Sequence, residues 1–579
     1  MPTEAASPAP VVQVEAPPVL RALLERHLDL VRMPGLAQGD AVTDAEWSRL
    51  ADAAPAQVRE LLQTEGYFDP QVQVLRDADP AGGPLPRTRI VVEPGARALV
   101  GRLQFEFEGE LERTRVAGDA SARALADDLR RGFALPTGAA FRNAQWSEAK
   151  ARALARLRAA GYAAANWSGT SAEVDTATQR VRLYLAADSG PLFRSGELRI
   201  EGLQRQDAQT VRNLAAFAPG TPVTEAMLLD FQERLQGSGL FDSATVSLQT
   251  DPSTAGAAPI VVSVLEAPLQ VYTVGVGISA NTGPRVSVEH VYRRVFGAAA
   301  TARNKLEWGR DRQAWDGELS SHTRAGLQRN LLGGAVERLQ TSSDVVLAQR
   351  LRLGRARDDP RREQLRFIEA ERSVRSTATT RAESLALSLN QHVVRRMLDS
   401  VILPTEGYTL SLQGGLGSSH STDASGGAFA RMYGRLTAYR PLPAGWFGQA
   451  RVELGQIVGP GRASVPEAQS FRAGGDDSVR GYAFRSLGPL DNGAVSGGRV
   501  LFTASGEVAR PLSANLPALW GALFVDTGNA ADSWGTLHPA LGLGAGLRWR
   551  SPVGPLRVDW AWGRETRRAR LHFSVGIAF

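Results

Sequence analysis

Cysteine is absent from the 579-residue chain. Disulfides and thiolate metal sites are therefore excluded. The absence suits a cell-envelope protein without identifying one. Long apolar runs are missing too. No stretch offers the roughly 20 apolar residues of a membrane-spanning helix. The longest uncharged run near the C-terminal end, Pro511 to Val525, is too short and holds two prolines. That excludes a helical membrane protein but leaves open a β-barrel, whose strands are only half apolar. Met1 to Pro18 is rich in Pro and Ala and lacks the basic start and apolar core of a secretory leader. It reads as a disordered segment. The net charge is only +6, with arginines scattered and not massed on one helix, so no nucleic-acid partner is expected.

What is present divides into two halves. The length calls for several domains. Up to about residue 268 the chain mixes helical and strand patterns, and it contains an internal repeat. Val58 to Asp69, Ala153 to Tyr162 and Phe231 to Asp242 each read as the end of an amphipathic helix. Each helix stops at a glycine (Gly66, Gly161, Gly239) suited to a left-handed cap. An apolar residue and an alternating strand follow, and a further strand closes each copy at Thr88–Val92, Gln179–Leu185 and Pro259–Leu265. The expected fold class is α+β for this half: three tandem β-α-α-β-β domains over 19–95, 96–189 and 190–268, after a disordered 1–18.

From 269 to 579 the pattern is alternation, apolar outward and small or polar inward. Tyr272, Val274, Val276 and Ile278 share one face; so do Leu385, Leu387 and Leu389, with Glu383, Ser388 and Asn390 read as facing inward. Leu541, Leu543, Leu547 and Trp549 oppose Gly542, Gly544, Gly546 and Arg548, and Leu556, Val558, Trp560 and Trp562 oppose Arg557 and Asp559. At roughly 20 residues per strand and connection, an all-β transmembrane barrel of about 16 antiparallel strands is expected. Trp308, Trp446 and Trp549 are expected at its interfacial belts.

Within this half, Phe471-Arg-Ala-Gly-Gly-Asp-Asp-Ser-Val-Arg-Gly-Tyr482 sets an arginine in a glycine-rich, acidic loop. A cation there must point into a polar lumen and find a carboxylate. Glu507 and Asp526 alternate with apolar neighbours on later strands and are the expected partners of Arg480. A guanidinium can pair with a carboxylate through two bonds, which a lysine cannot copy.

Val479-Arg480-Gly481-Tyr482, Phe524-Val-Asp-Thr-Gly528 and Leu547 to Leu556 resemble three signatures of the POTRA-plus-barrel outer-membrane assembly superfamily. The last segment, Phe573 to Phe579, resembles the β-signal by which such barrels are themselves inserted. Length and three repeats resemble the TamA family, the outer-membrane subunit of the translocation and assembly module, related to BamA. The resemblance implies POTRA domains in the periplasm and a barrel in the outer membrane. It also implies a loop folded into the lumen, with Arg480 held by acids matching Glu507 and Asp526. It implies unfolded outer-membrane protein clients such as autotransporters, a TamB-like partner, and contact with outer-membrane lipid, including phospholipid transfer between membranes. Its lateral gate would lie where the first strand meets the last, at Tyr272, Val274, Phe573, Gly576 and Phe579.

Other signals carry no chemistry. Gly542-Leu-Gly-Ala-Gly546 lacks phosphate-loop spacing, the seven histidines lack metal-ligand spacing, and Ser478 beside Asp477 forms no nucleophile elbow. No catalytic residue, metal or cofactor is expected. A polypeptide-secretion pore of the two-partner type is the alternative reading, and an envelope hydrolase on a barrel scaffold is disfavoured by the missing Ser/His/Asp arrangement.

Overall fold

Amphipathic helices against small sheets build the first half. The computed structural model describes residues 12–36, 43–77, 87–359, 361–400, 404–422, 426–459, 465–513, 515–551 and 554–578. The first copy runs β1 (Val12–Glu15), α1 (Pro18–His27), α2 (Asp29–Leu36), α3 (Asp44–Thr64), β2 (Gln71–Asp77) and β3 (Arg87–Glu93). The second runs β4 (Leu99–Glu108), α4 (Gly109–Val116), α5 (Ala120–Arg131), α6 (Asn143–Ala159), β5 (Asn166–Asp175) and β6 (Arg180–Asp188). The third runs β7 (Ser195–Glu201), α7 (Ala208–Ala215), α8 (Glu225–Gly237), β8 (Phe241–Leu248) and β9 (Ala258–Glu266). Each forms a three-stranded sheet, ordered β1-β3-β2, β4-β6-β5 and β7-β9-β8.

Two expectations for this half need correction. Val12–Glu15, placed in a disordered 1–18 segment, is a strand paired parallel to β3, with Val14 buried against Leu20 and Leu24. A Pro/Ala-rich composition masked an alternating Val-Gln-Val. The remainder of that segment before Val12 lies outside the described residues. The first two copies also carry three helices each, not two.

Local chemistry explains the helices. Thr43 caps α3 by accepting from the Glu46 N–H, and Asp119 caps α5 through Ala122 N–H. Along α3, Trp47, Ala51, Ala54, Val58 and Leu62 recur at helical spacing and are all buried. The Trp47 indole N–H donates to Thr88 Oγ1 at 3.1 Å, which satisfies its polar edge inside the core. Past the repeat helices, Gly66, Gly161 and Gly239 have φ of 90°, 109° and 70°, the left-handed turn the repeat required.

Sixteen strands close the second half into one antiparallel barrel. They are β10 (Gln270–Ser279), β11 (Gly283–Tyr292), β12 (Ala300–Gly309), β13 (Arg312–Ser321), β14 (Gln328–Gln340), β15 (Val345–Asp359), β16 (Arg362–Ser376), β17 (Arg381–Leu398), β18 (Gly407–Ser421), β19 (Gly427–Pro441) and β20 (Phe447–Val458). A short hairpin, β21 (Leu490–Asp491) and β22 (Ala494–Val495), sits in the following loop. The barrel resumes with β23 (Val500–Pro511), β24 (Leu519–Ala531), β25 (Ala540–Ser551), β26 (Gly554–Gly563) and β27 (Arg568–Ala578).

The chain enters from β9 at the rim holding Gln270, here the lower rim. Tyr272, Val274, Leu385, Leu389, Leu543 and Trp560 are exposed on the outer wall, while Ser388, Asn390 and Asp559 are buried inside. Glu383, expected inward, has the parity of Leu385 and lies on the outer face, where Arg372 donates to it at 2.6 Å. Trp308 and Trp549 are exposed near strand ends, and Trp446 lies beneath Arg510 at the lower rim.

Below the barrel entry, Glu266 at the end of β9 accepts from the backbone N–H groups of Gln204, Arg205 and Gln206 at 2.7–3.0 Å. Burial pushes its carboxyl up, but these donors and the Arg205 guanidinium outweigh burial and hold it below its ordinary value. A depressed folded-state value gives stability that is present above about pH 4.5 and is lost as pH falls through it. Glu266→Gln is expected to flatten the acid limb of an unfolding-versus-pH curve; an unchanged limb would reject this assignment. Trp47→Ala is expected to destabilise the first copy by about 3–5 kcal/mol. Urea-gradient proteolysis should show that loss while the barrel's heat-modifiable gel mobility stays put.

Candidate functional site: an arginine clamp inside the barrel

The connection between β20 and β23 starts at the upper rim and turns back into the lumen. Its Val465, Phe471, Ala473, Val479 and Tyr482 are buried against wall residues that include Ala386, Phe429 and Leu501. At its turn Gly481 has φ 94°, and a Cβ there would stand 2.8 Å from the Gly563 nitrogen. Opposite, a Cβ on Gly542 would lie 1.9 Å from the Arg480 carbonyl oxygen. Both glycines let loop backbone touch wall backbone.

That approach delivers Arg480, 7% exposed, to Asp526, which is fully buried. Nε donates to Asp526 Oδ2 at 2.7 Å and Nη2 to Oδ1 at 2.9 Å, the two-bond pairing that needs a guanidinium. The Arg480 backbone N–H adds a third bond to Asp526 Oδ2 at 3.0 Å. Nη1 donates to Glu507 Oε2 at 3.0 Å and to Asp559 Oδ2 at 3.1 Å, and the guanidinium lies 3.4 Å from the Phe524 ring centre. Arg548 completes the cluster, bonded to Glu507 at 3.0 and 2.7 Å and to Asp559 at 2.5 and 3.2 Å. Two guanidiniums thus face three carboxylates, drawn from β23, β24, β25 and β26 and the loop. A cavity of about 280 Å3 opens beside the cluster, lined by Gln449, Arg451 and Arg557 among others.

Residues 302–579 match the model of the Omp85 superfamily domain. Over those residues the chain is similar to that domain. Outer envelope protein 80 of Arabidopsis thaliana chloroplasts is 36% identical over 134 residues, covering 21% of this chain and 16% of that protein. Outer membrane protein assembly factor BamA of Nitratidesulfovibrio vulgaris is 31% identical over 166 residues, covering 24% of this chain and 19% of that protein. The matches thus span less than a fifth of either relative. The crystal structure of BamA from Haemophilus ducreyi lacking POTRA domains 1–3 superposes with a TM-score of 0.60 at 17% identity, covering 83% of this chain and all of that one. At that identity the likeness is one of fold. The protein is an outer-membrane barrel with POTRA-type domains in the periplasm, so the lower rim is the periplasmic one.

The barrel brings Arg480 to Glu507 and Asp526. Sequence reading missed Asp559 and Arg548 as members of the cluster, although it placed both on the inward face. It also missed a second anchor. Arg472 and Asp344, both with fully buried side chains, are bonded at 2.5 and 3.2 Å, and Arg375 on β16 donates to the same carboxylate at 2.9 Å. Glu467 flanks Arg472 as well. No local signal marks Asp344, which sits in a plain Thr-Ser-Ser-Asp turn.

The expected gate residues lie at the seam. Tyr272 and Val274 are on the outer face of β10, Phe573 is half-buried on β27, and Gly576 pairs with Gly277. Phe579 lies outside the described residues. Among the described residues, β10 and β27 share five residue pairs, against ten between β10 and β11 and seven between β26 and β27. The loop also reaches this seam. His572 on β27 bonds Asp476 at 2.5 Å and accepts from the Gly481 N–H at 2.9 Å, while the Asp476 N–H donates to Asn281, two residues past β10.

Asp526→Ala is expected to leave a buried guanidinium short of its main partner, a loss of about 3–5 kcal/mol. The temperature at which the folded gel band converts to the unfolded one should fall. Gly542→Val should expel the loop by steric contact and expose Arg472 and Arg480 to trypsin; resistance equal to the parent would count against the close approach described.

Proposed function

We propose that the protein is an outer-membrane insertase of the TamA type, which assembles autotransporters and other barrels together with a TamB-type periplasmic partner. It works without catalysis, by lending a strand edge. The observation that carries this reading is the short seam. Pairing of β10 with β27 runs from Ser279↔Ser574 to Gly275↔Ala578. Among the described residues, Gln270–Thr273 have β11 as their sole paired neighbour, at the periplasmic end. An open edge there offers backbone donors and acceptors to an incoming strand. Gly277 and Gly576 face each other in the middle of the seam, where neither adds side-chain packing.

The clamp supplies the complementary rigidity. With β23–β26 fastened through Arg480 and Arg548, strain from a client falls on the weakest junction. Opening must also free Asp476 from His572 or from Asn281, so the loop tip acts as a latch over the seam. A secretion pore of the two-partner type is the second reading. The loop packed into the lumen favours the insertase, because a polypeptide would have to displace a doubly anchored segment.

The cysteine-free background makes the test clean. Gly277→Cys with Gly576→Cys, oxidised, should block client assembly in reconstituted membranes and recover on reduction. Assembly that proceeds with the seam locked would reject the gate. A steady large single-channel conductance would favour the pore instead. Affinity purification from envelopes that yields no long periplasmic β-rich partner would reject the TamB pairing.

A further inference from the structure

The barrel's outer wall carries an unusual basic patch on the side away from the seam. β15, β16 and β17 are the sixth to eighth of the sixteen strands. Toward their periplasmic ends, Arg355, Arg357, Arg362, Arg366 and Arg395 are exposed and share the outward parity of Leu353, Ile368 and Leu389. Asp359 is the one acid on that part of the face. Register sharpens the point. Arg355 stands directly opposite Arg366, and Arg362 directly opposite Arg395. Like charges in cross-strand pairs repel and destabilise a sheet unless an anion intervenes. Among the described residues, Arg357, Arg366 and Arg395 have no carboxylate partner, while Arg355 reaches only the Asn330 amide at 3.1 Å. At the opposite rim the equivalent charge is neutralised, with Arg372 bonded to Glu383 at 2.6 Å.

The same wall has a narrow apolar belt. On β16 only Ile368 and Ala370 separate Arg366 from Arg372 on the outer face. Those arginines are six residues apart, about 20 Å along the strand and about 15 Å across the membrane at a tilt of about 40°. A barrel's apolar band is ordinarily about 25 Å tall. β10, by contrast, shows four consecutive outward apolar residues, Tyr272 to Ile278. The arginines therefore sit at the depth where phosphates of the periplasmic leaflet lie, or draw those phosphates inward.

We infer that the periplasmic outer face of β15–β17 is a binding site for anionic phospholipid headgroups, whose phosphates lie between the opposed arginines and hold the bilayer thin there. Planar guanidiniums match phosphate oxygens through paired bonds, and their aliphatic stems cover the wall above. The site stands apart from the seam and does not depend on which cargo the barrel handles.

The test uses the full chain in phospholipid nanodiscs. A single Leu353→Cys, carrying a fluorophore, reports on lipid beside the patch, and Val276→Cys on β10 is the control position. Nitroxide-labelled phosphatidylglycerol should quench the 353 reporter about fivefold more than nitroxide-labelled phosphatidylcholine at low mole fraction, with no preference at 276. Combining Leu353→Cys with R355Q, R357Q, R366Q and R395Q should abolish the difference. Equal quenching by the two lipids at 353 in the otherwise native chain overturns the site, whether or not the combined variant folds. So does a preference at 276 as large as that at 353.

Discussion

A guanidinium inside a barrel has to be neutralised by that barrel's own wall, and the rest of the lumen is arranged around that constraint. Arg480 meets it with four contacts to three acids and a ring beneath its plane. Each acid comes from a different strand, so one side chain ties β23, β24 and β26 to the loop. Arg548 ties in β25 by sharing two of the same acids. Removing any single member leaves a buried charge short of a partner, which is why the cluster behaves as a unit and not as separate pairs.

The second anchor turns the loop from a tether into a strut. Arg472 is fastened to Asp344 and Arg375 on the β14–β16 side, and Arg375 also donates to the Val495 carbonyl in the loop hairpin. Between the two anchors run Gly474 and Gly475, and from there Asp476 reaches both margins of the seam. Three parts of the wall therefore sense the position of one loop. Among the described residues the seam is the least paired junction, and the loop reaches it through His572 and Asn281 alone, where the other two sites have multiple buried ion pairs.

Much of this was legible beforehand, and the reason is periodicity. The helix–glycine–strand repeat announced itself because a 3.6-residue apolar stripe, a left-handed glycine and a two-residue alternation are all local properties. Alternation likewise placed Glu507, Asp526, Asp559 and Arg548 inside. It failed at Val12–Glu15, where four residues are too few for a pattern to stand out from the surrounding Pro and Ala. At Glu383 the alternation shared with Leu385 itself places the side chain on the outer face.

The sequence by itself determined which faces are apolar, where helices stop, and that an arginine in a glycine-rich loop needs an acid. Only the tertiary structure decided which acids answer. Asp344 and Arg472 are 128 residues apart, and Asp559 reaches Arg480 across 79. The opposed arginines of β15–β17 and the five-pair seam are also matters of register between strands. A pairing shifted by one residue would put every side chain of a strand on the other face, so register is set by the closed sheet as a whole and cannot be read from any one strand.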